Sequence, residues 1–268
     1  MEVVSDRRQY SVLQYRQGKV REVADVVVAE YNLEILVNGK EFVILLCTPR
    51  SLENLVAGFL FSEGIIRGAE DLQALDIDVV QQQARVTLRG GNDLHLTACR
   101  PDVRKTVPTA GGKGHSTLDP SALETLAQRC NGHFTIKAAR IPELMARFSN
   151  KSQLFLDTGG VHSCALSDGN QMLLFEDDIG RHNALDKVLG AAMMHGMSLK
   201  DKVILTSGRI STEILAKVAR RGIPAIISRS APTGAAIEQA RALNMSLIGF
   251  ARGRNFNVYT NFSCLDMD

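Results

Sequence analysis

The segment EDDIGRHNALDKVLG (residues 176–190) joins a predicted strand to a predicted helix and is dense in polar side chains. The first turn of that helix follows Gly180 and contains Arg181, His182 and Asn183. A helix start presents free backbone N–H groups and the positive end of the helix dipole, which together favour an anion. We interpret the segment as part of an anion-binding site. The alternative is an exposed, well-capped helix with routine ion pairs.

A second candidate is the segment DTGGVHSC (residues 157–164), in which two glycines precede a predicted strand. His162 and Cys164 are two residues apart, and side chains with this spacing face the same way in an extended chain. Three interpretations are open: a nucleophile with its base, two metal ligands, or a buried pair in a core strand. We favour burial for the cysteine and a role in a site for His162, because a double glycine lies beside it.

Three further segments combine glycine with arginine and hydroxyl side chains where predicted strands end. They are SGRISTE (207–213), SRSAPTG (228–234) and FARGRN (250–255), and they contain the candidates Ser207, Arg209, Arg229, Arg252 and Arg254. Guanidinium groups bind phosphate in a bidentate manner, and glycine lets the backbone come close. Several such segments in succession predict a large ligand with several phosphates. The sequence has no GxxxxGK[ST] or GxGxxG motif, which excludes an ordinary P-loop NTPase or dinucleotide dehydrogenase.

The segment RKTVPTAGGKGHST (residues 104–117) has three glycines, three basic side chains and no carboxylate. It neither alternates like a strand nor repeats like a helix, so it is predicted to be a loop. It carries positive charge but no nucleophile. We expect this cationic loop to be mobile and to close over a ligand or contact a partner through Lys113 and His115.

The elements that must position these residues differ between the two halves of the chain. The first half is predicted to be rich in strands, with Asn38-Gly39 as a hairpin turn and one helix over residues 50–63. In the second half, strands alternate with helices near residues 181–195, 211–221 and 233–243. This alternation is typical of an α/β layer, in which ligands gather where strands end and helices begin.

We therefore predict an α/β protein in two parts. Residues 1–118 form a β-rich N-terminal portion that includes the mobile cationic region 100–117, and residues 119–268 form an α/β cofactor-binding domain. A net charge of +2 provides no global field for nucleic acid. The segment MEVVSDRRQY (residues 1–10) lacks the apolar core of a signal peptide, and no apolar run approaches the ~20 residues of a spanning helix. We expect a cytoplasmic protein with neither a nucleic-acid nor a membrane partner.

The motifs TGGVH, EDDIGRHNALDKVLG, SGRIS, SAPT and NVYT, in this order, resemble those of the FdhD/NarQ family, the formate dehydrogenase accessory proteins. In the first half, the VNG turn and ENLVAGFLFSEGII resemble the N-terminal signature of the same family. The resemblance implies a three-layer, deaminase-like sheet with helices on its faces, beside a smaller β-rich N-terminal portion. It also implies a homodimer.

The resemblance further implies a sulfur carrier. Such proteins receive sulfur from a cysteine desulfurase as a persulfide and pass it to the bis-molybdopterin guanine dinucleotide cofactor before its insertion into the formate dehydrogenase apoenzyme. The cofactor is a bound client, and no permanent metal is expected. The residues expected to bind it are His162, Arg181, His182, Asn183, Ser207, Arg209 and Arg229, with the family's cofactor-binding segment on Phe250, Ala251, Arg252, Gly253, Arg254 and Asn255.

The cationic loop departs from the family pattern. Its Gly112-Lys113 match the end of the family's SCGVCGK motif, but Pro108 and Gly111 stand where the two cysteines would be. A persulfide carrier needs a thiolate near positive charge. Cys99, just before a run that includes several cations, is therefore the predicted carrier, and Lys113 and His115 complete the predicted catalytic set.

Other assignments remain open. Cys47, before a helix start, and Cys164, beside His162, are the second and third choices of carrier. An alternative function is that of a cofactor-binding chaperone without sulfur transfer. A third is a deaminase-type zinc hydrolase that uses His162, Cys164 and His182, although the PCxxC ligand pair is missing and Cys164 replaces the expected glutamate.

Overall fold

The structure is a computed structural model that describes residues 4–91, 106–107, 127 and 134–267. Helices and strands are mixed, and the strands described form a two-stranded hairpin, a five-stranded sheet, a six-stranded sheet and a small two-stranded sheet. The predicted α/β class is confirmed. The three-layer, deaminase-like arrangement stays a prediction. No helix in these ranges has the length and apolar character needed to cross a membrane.

The N-terminal portion begins with a hairpin and continues into the five-stranded sheet, whose order is β5-β6-β3-β4-β7. The predicted hairpin turn is confirmed, because Val37 pairs with Lys40 across Asn38-Gly39, both of which have positive φ. The elements are β1 (Arg7–Arg16), β2 (Lys19–Val28), β3 (Tyr31–Val37), β4 (Lys40–Cys47), α1 (Leu52–Ser62), β5 (Leu72–Asp78), β6 (Gln83–Leu88) and β7 (Thr106–Val107).

Short elements connect this portion to the six-stranded sheet. The strand β8 (Ile136–Lys137) pairs with β15 (Leu265–Asp266) near the carboxyl end. Between β8 and the larger sheet come two helices, α2 (Arg140–Ser149) and α3 (Gln153–Thr158). The helix α3 is capped by the Ser152 hydroxyl, which accepts from the Phe155 N–H.

The six-stranded sheet has the order β10-β9-β11-β12-β13-β14. Strands β11, β12 and β13 are mutually parallel, and the others run antiparallel to their neighbours. Its elements are β9 (His162–Ser167), β10 (Met172–Asp178), α4 (Arg181–Met194), β11 (Val203–Thr206), α5 (Thr212–Arg220), β12 (Ala225–Ser228), α6 (Gly234–Ala242), β13 (Ser246–Arg252) and β14 (Asn255–Thr260). The three predicted helices of this half are confirmed as α4, α5 and α6.

The helices α1 and α4 cross with their backbones in contact, which we call the glycine crossing. A side chain on Gly58 would place its Cβ 1.7 Å from the Asp186 carbonyl oxygen, and one on Gly190 would lie 2.0 Å from the Asn54 carbonyl oxygen. One apolar core therefore includes buried residues from both predicted parts of the chain. The division at residue 118 stays a prediction.

Candidate functional site

One end of the six-stranded sheet collects the candidate segments of the second half. Because β11, β12 and β13 are parallel, their carboxyl ends lie together there. Thr206 at the end of β11 pairs with Cys164, and His162 at the start of β9 pairs with Asp178 at the end of β10. We call this region, with the turns that follow these strands, the arginine end of the sheet.

His162 and Ser207 meet at the arginine end. The ring Nδ1 of His162 lies 3.3 Å from Ser207 Oγ, which also accepts a hydrogen bond of 2.9 Å from the Ser163 N–H. The Ser207 N–H in turn donates to the Ser163 carbonyl at 3.0 Å. These bonds fix the turn after β11 against the start of β9, so the predicted proximity of the two segments is present in the fold.

The imidazole of His162 is held neutral. Burial lowers its pKa, and the positive charges of Arg181 and Arg209 lower it further, while Asp178 acts in the opposite direction. A neutral ring can both accept and donate a hydrogen bond at neutral pH. His162 can therefore orient a ligand without adding to the positive charge around it.

Arg181 lies half-buried at the start of α4, where the glycine after Ser207 makes room for it. A Cβ on Gly208 would lie 2.9 Å from Arg181 Cβ, so any side chain there would push the arginine away. Burial and then the neighbouring Arg209 lower the pKa of Arg181, whereas Glu213 raises it. Two guanidinium groups close enough to oppose each other's charge form a site that favours an anion.

His182 faces inward from the same helical turn. Its Nε2 is 3.2 Å from Glu213 Oε2, but the pair lacks hydrogen-bond geometry. The distance alone would suggest an ion pair. However, burial, then Lys217, and then Arg181 lower the pKa of His182 to about 3, and burial raises the pKa of Glu213. We therefore assign a neutral imidazole to His182.

The turns after β12 and β13 complete the arginine end. The Arg229 N–H donates to the Thr206 carbonyl at 3.0 Å, and Arg252 Nε donates to the Arg229 carbonyl at 2.6 Å. Phe250 is 43% exposed and has a φ of 53°, an unusual conformation for an aromatic residue. Such conformations cluster at ligand sites, where the surrounding structure maintains them.

The rest of the predicted FARGRN segment forms the tip between β13 and β14. Ala251 is buried in the core, so it offers a ligand only its backbone. Arg252, Gly253, Arg254 and Asn255 are exposed, and Gly253 has a φ of 57°. The cations of this tip are therefore accessible to a large ligand.

Asn183 serves the fold. Its side-chain amide donates to the Leu46 carbonyl at 2.6 Å and to Asp178 Oδ1 at 2.9 Å. Asp178 also accepts from the backbone and hydroxyl of Thr48 and pairs with Lys187 at 2.7 Å. Asn183 and Lys187 are four residues apart and lie on neighbouring faces of α4, a spacing that is visible in the sequence. The contribution of Thr48 to this buried hub is not, because Thr48 is remote in sequence from both.

The cysteines of the described ranges are poor sulfur carriers. Cys47, Cys164 and Cys264 are each at most 1% exposed, and burial raises the pKa of all three thiols. A thiolate is the reactive form, so these sites are unreactive. Cys99, Lys113 and His115, the predicted catalytic set, lie outside the described residues, as do Pro108 and Gly111.

The metal-ligand interpretation of His162 and Cys164 finds no support. Cys164 belongs to the apolar core, whereas His162 is only partly buried at the arginine end. Within the described ranges, no group of three or more histidine, cysteine or carboxylate side chains is arranged to hold a metal. The geometry therefore gives no basis for a zinc hydrolase there.

Comparison with known proteins agrees with the motif resemblance. Residues 28–265 match the sequence profile of the FdhD/NarQ family. The chain is 41% identical over 250 residues to the sulfur carrier protein FdhD of Bacillus subtilis, covering 93% of this chain and 94% of that protein. It is 39% identical over 265 residues to the sulfur carrier protein FdhD of Listeria monocytogenes, covering 98% of both chains.

A crystal structure assigned as a formate dehydrogenase accessory protein from Desulfotalea psychrophila has the same fold. It superposes with a TM-score of 0.75 at 24% identity, and the match covers 98% of this chain and 100% of that one. The predicted family is thus confirmed by the sequence comparisons, and the predicted α/β class by the structure. The chain belongs to the FdhD/NarQ family.

Proposed function

We propose that the protein is a sulfur carrier that binds the bis-molybdopterin guanine dinucleotide cofactor at the arginine end of the sheet. The observation that carries this proposal is the convergence of the segments around His162, Arg181, Ser207, Arg229 and Phe250 at one end of one sheet. Each contributes cationic, hydroxyl, aromatic or backbone groups to a common surface. The family's function as a carrier for formate dehydrogenase supports the same assignment.

The donor set suits a ligand that has several phosphates and flat ring systems. Arg209, Arg229 and Arg254 have no ion pair with a described residue, so their charges are available to phosphates. The exposed ring of Phe250 offers a stacking surface for a base or a pterin. The neutral ring of His162 can form a directional hydrogen bond to the same ligand.

The sulfur step requires a thiolate that reaches both a cysteine desulfurase and the cofactor. In the proposed order of steps, the carrier takes sulfur from the desulfurase as a persulfide. It then passes the sulfur to the cofactor before the cofactor enters the formate dehydrogenase apoenzyme. Cys47, Cys164 and Cys264 are buried with raised pKa values, which leaves Cys99 and Cys130. Cys99 remains the proposed carrier, because Arg100, Arg104 and Lys105 follow it closely in the sequence.

The burial of those three cysteines also favours a second candidate, a chaperone that binds the cofactor without carrying sulfur. Both candidates require ligand binding at the arginine end. They differ only in whether any cysteine accepts sulfur.

Binding is tested by calorimetric titration of GDP, used as the probe for the guanine nucleotide. Replacing Arg252 and Arg254 together by Ala should weaken binding about tenfold or more, since each loss removes a charge-assisted hydrogen bond. The matched control is Arg67→Ala, an exposed arginine that pairs with Asp71 after α1. Equal affinity in the double variant and the control would overturn the assignment of the arginine end.

Sulfur transfer is tested by intact mass spectrometry after incubation with a cysteine desulfurase and cysteine. A gain of about one sulfur atom that reductant reverses and Cys99→Ala abolishes establishes the carrier. A gain that maps to another cysteine shows that the protein carries sulfur on a residue other than Cys99. GDP binding with no gain on any cysteine selects the chaperone.

A further inference from the structure

The hydroxyl oxygen of Ser207 replaces a backbone carbonyl at the end of the β9/β11 pair. In an antiparallel ladder, the two residues of a hydrogen-bonded pair exchange both of their N–H···O=C bonds. The Ser207 N–H donates to the Ser163 carbonyl at 3.0 Å, but the Ser163 N–H donates to Ser207 Oγ at 2.9 Å. This second bond fixes the position of Oγ and occupies one of its lone pairs.

The fixed oxygen lies beside His162, with 3.3 Å between Ser207 Oγ and the ring Nδ1. Among the described residues, the hydroxyl is bonded to this nitrogen and to the Ser163 N–H. If Nδ1 is unprotonated, it accepts from the Ser207 O–H, and both groups are satisfied. If Nδ1 carries the proton, the oxygen accepts twice and the hydroxyl proton has no acceptor in the described part of the chain. The hydrogen-bond network therefore assigns the ring proton to Nε2.

The ring of His162 is neutral, so it has a single proton on one of its two nitrogens. Burial lowers its pKa, and the positive charges of Arg181 and Arg209 lower it further. A protonated ring would donate from both nitrogens and would leave the Ser207 hydroxyl without an acceptor. The two guanidinium groups and the hydroxyl thus favour the same state of the ring.

Asp178 does not compete for the ring proton, although it faces His162 across the β9/β10 pair. Its Oδ1 accepts from the Gly180 N–H and from the Asn183 amide, each at 2.9 Å. Its Oδ2 is 2.7 Å from the Lys187 ammonium. Both carboxylate oxygens thus have partners other than His162, and Nε2 of the ring has no hydrogen-bond partner among the described residues. The Nε2–H is therefore available to a ligand.

We propose that Ser207 is a positioning residue: it holds His162 in the tautomer protonated on Nε2, and the ring donates from Nε2 to an acceptor oxygen of the bound nucleotide. The ligand contact rests on the proposed function, whereas the tautomer is a property of the free protein. Ser207 acts through His162, so its contribution to binding is indirect. The acceptor is a carbonyl oxygen of the base or an oxygen of a phosphate, since the same donor suits both.

The other tautomer would oppose this contact. With the proton on Nδ1, Nε2 presents a lone pair to the ligand oxygen, and two acceptors form no hydrogen bond. Loss of the Ser207 hydroxyl lets both tautomers form, so that only part of the protein is competent to bind. The apparent affinity falls in proportion to the competent fraction.

The tautomer is tested by ¹H–¹⁵N NMR of the full chain with ¹⁵N-labelled histidine, which reports the nitrogen that carries the proton. The variant His162→Gln identifies the signals of this ring among those of the six histidines. We expect a protonated Nε2 at neutral pH, and a shift of both nitrogens toward the average of the two tautomers in Ser207→Ala. Ser207→Thr, which keeps the hydroxyl, and the exposed control Ser263→Ala should preserve the pattern. A proton on Nδ1 in the unmodified protein, or no change in Ser207→Ala, would overturn the proposal.

The ligand contact is tested by calorimetric titration of GDP and of ADP. Ser207→Ala should weaken GDP binding about threefold or more, while Ser207→Thr and Ser263→Ala bind as the unmodified protein does. A loss confined to GDP, or a protein that does not bind ADP at all, assigns the acceptor to the base carbonyl, because adenine has an amino group there. An equal loss for both nucleotides assigns it to a phosphate.

Unchanged GDP binding in a folded Ser207→Ala variant would overturn the ligand contact. Failure of the unmodified protein to bind either nucleotide would instead overturn the proposed function and the contact with it, and the NMR spectra of the free protein would still decide the tautomer. Circular dichroism verifies that each variant is folded.

Discussion

The glycine crossing and the arginine end use the same kinds of side chain in opposite ways, and α4 takes part in both. In the interior next to the crossing, the buried lysines have partners: Lys187 pairs with Asp178 at 2.7 Å, and Lys217 with Asp186 at 2.6 Å. At the arginine end, Arg209, Arg229 and Arg254 have no ion pair with a described residue. Pairing therefore separates charges that hold the fold from charges that are available to a ligand.

The difference has a simple physical origin. A buried charge without a partner is costly, so the fold can bury a lysine only next to a carboxylate. Lys217 meets this requirement twice, with Asp186 and with Glu63 at 3.1 Å, and also lies over the Phe59 ring. An exposed arginine has no such requirement, because water solvates it until an anion arrives.

The largest effect should follow from a side chain at the glycine crossing. Gly190→Ala would place a Cβ 2.0 Å from the Asn54 carbonyl oxygen, and the helices would have to separate to relieve the clash. We expect a loss of at least about 3 kcal/mol in the free energy of unfolding, or a failure to fold. Chemical denaturation followed by circular dichroism measures it.

The matched control for this variant is Gly234→Ala, at the start of α6, where a Cβ would meet nothing within 4 Å. Its stability should change by less than about 1 kcal/mol. If Gly190→Ala were as stable as Gly234→Ala, the helices α1 and α4 would accommodate a Cβ at their contact. The glycine crossing would then not be the rigid region described above.

The next effect comes from breaking a buried pair. Lys187→Met keeps most of the side-chain volume but leaves Asp178 fully buried and without its cation. Removal of one partner of such a pair typically costs about 3–5 kcal/mol in the free energy of unfolding. Lys202→Met breaks the pair with Asp201, whose side chain is 70% exposed, so water solvates the carboxylate that remains and the loss should be less than about 1 kcal/mol.

Equal losses in the two lysine variants would mean that burial does not govern the value of an ion pair here. Calorimetric titration of GDP with the Lys187→Met variant, at a temperature where it is folded, then shows whether the hub also positions the arginine end.

The sequence predicted the positions of the elements better than the roles of individual polar side chains. The alternation of strands and helices in the second half predicted α4, α5 and α6 within two residues, because apolar periodicity and glycine boundaries are local signals. The strand β1 was missed, since its largely exposed residues lack the alternation of a half-buried strand.

The candidate site shows the same limit. The arginine-rich segments were predicted to meet, because parallel strands bring their carboxyl ends together. Asn183 and His182 were grouped with them, yet the Asn183 amide bonds to Leu46 and Asp178 in the interior. Residues within one helical turn can point into the core or toward solvent, and only packing against α1 and β4 decides which. The burial of Cys47 and Cys164 depends on the same packing.

His182 lies between the two regions, and the pH dependence of stability reports its protonation state. Its pKa is lowered to about 3 in the folded protein, mainly by burial, from an ordinary value near 6.5 in the unfolded chain. The unfolded chain therefore binds more protons at this site between these values, and the contribution of His182 to the free energy of unfolding must fall as the pH drops below about 6.5. For one histidine the slope is at most about 1.4 kcal/mol per pH unit.

Other groups also titrate in this range, so the measurement is a difference. The lowered pKa of His162 acts in the same direction, whereas the raised pKa values of Asp186 and Glu213 oppose it. His182→Gln removes one contribution, and its stability should approach that of the unmodified protein as the pH is lowered from about 7 to 4. Parallel curves would show that the pKa of His182 is the same in the folded and unfolded protein, so that its ring takes up a proton in the fold below about pH 6.5 and is not held neutral by burial.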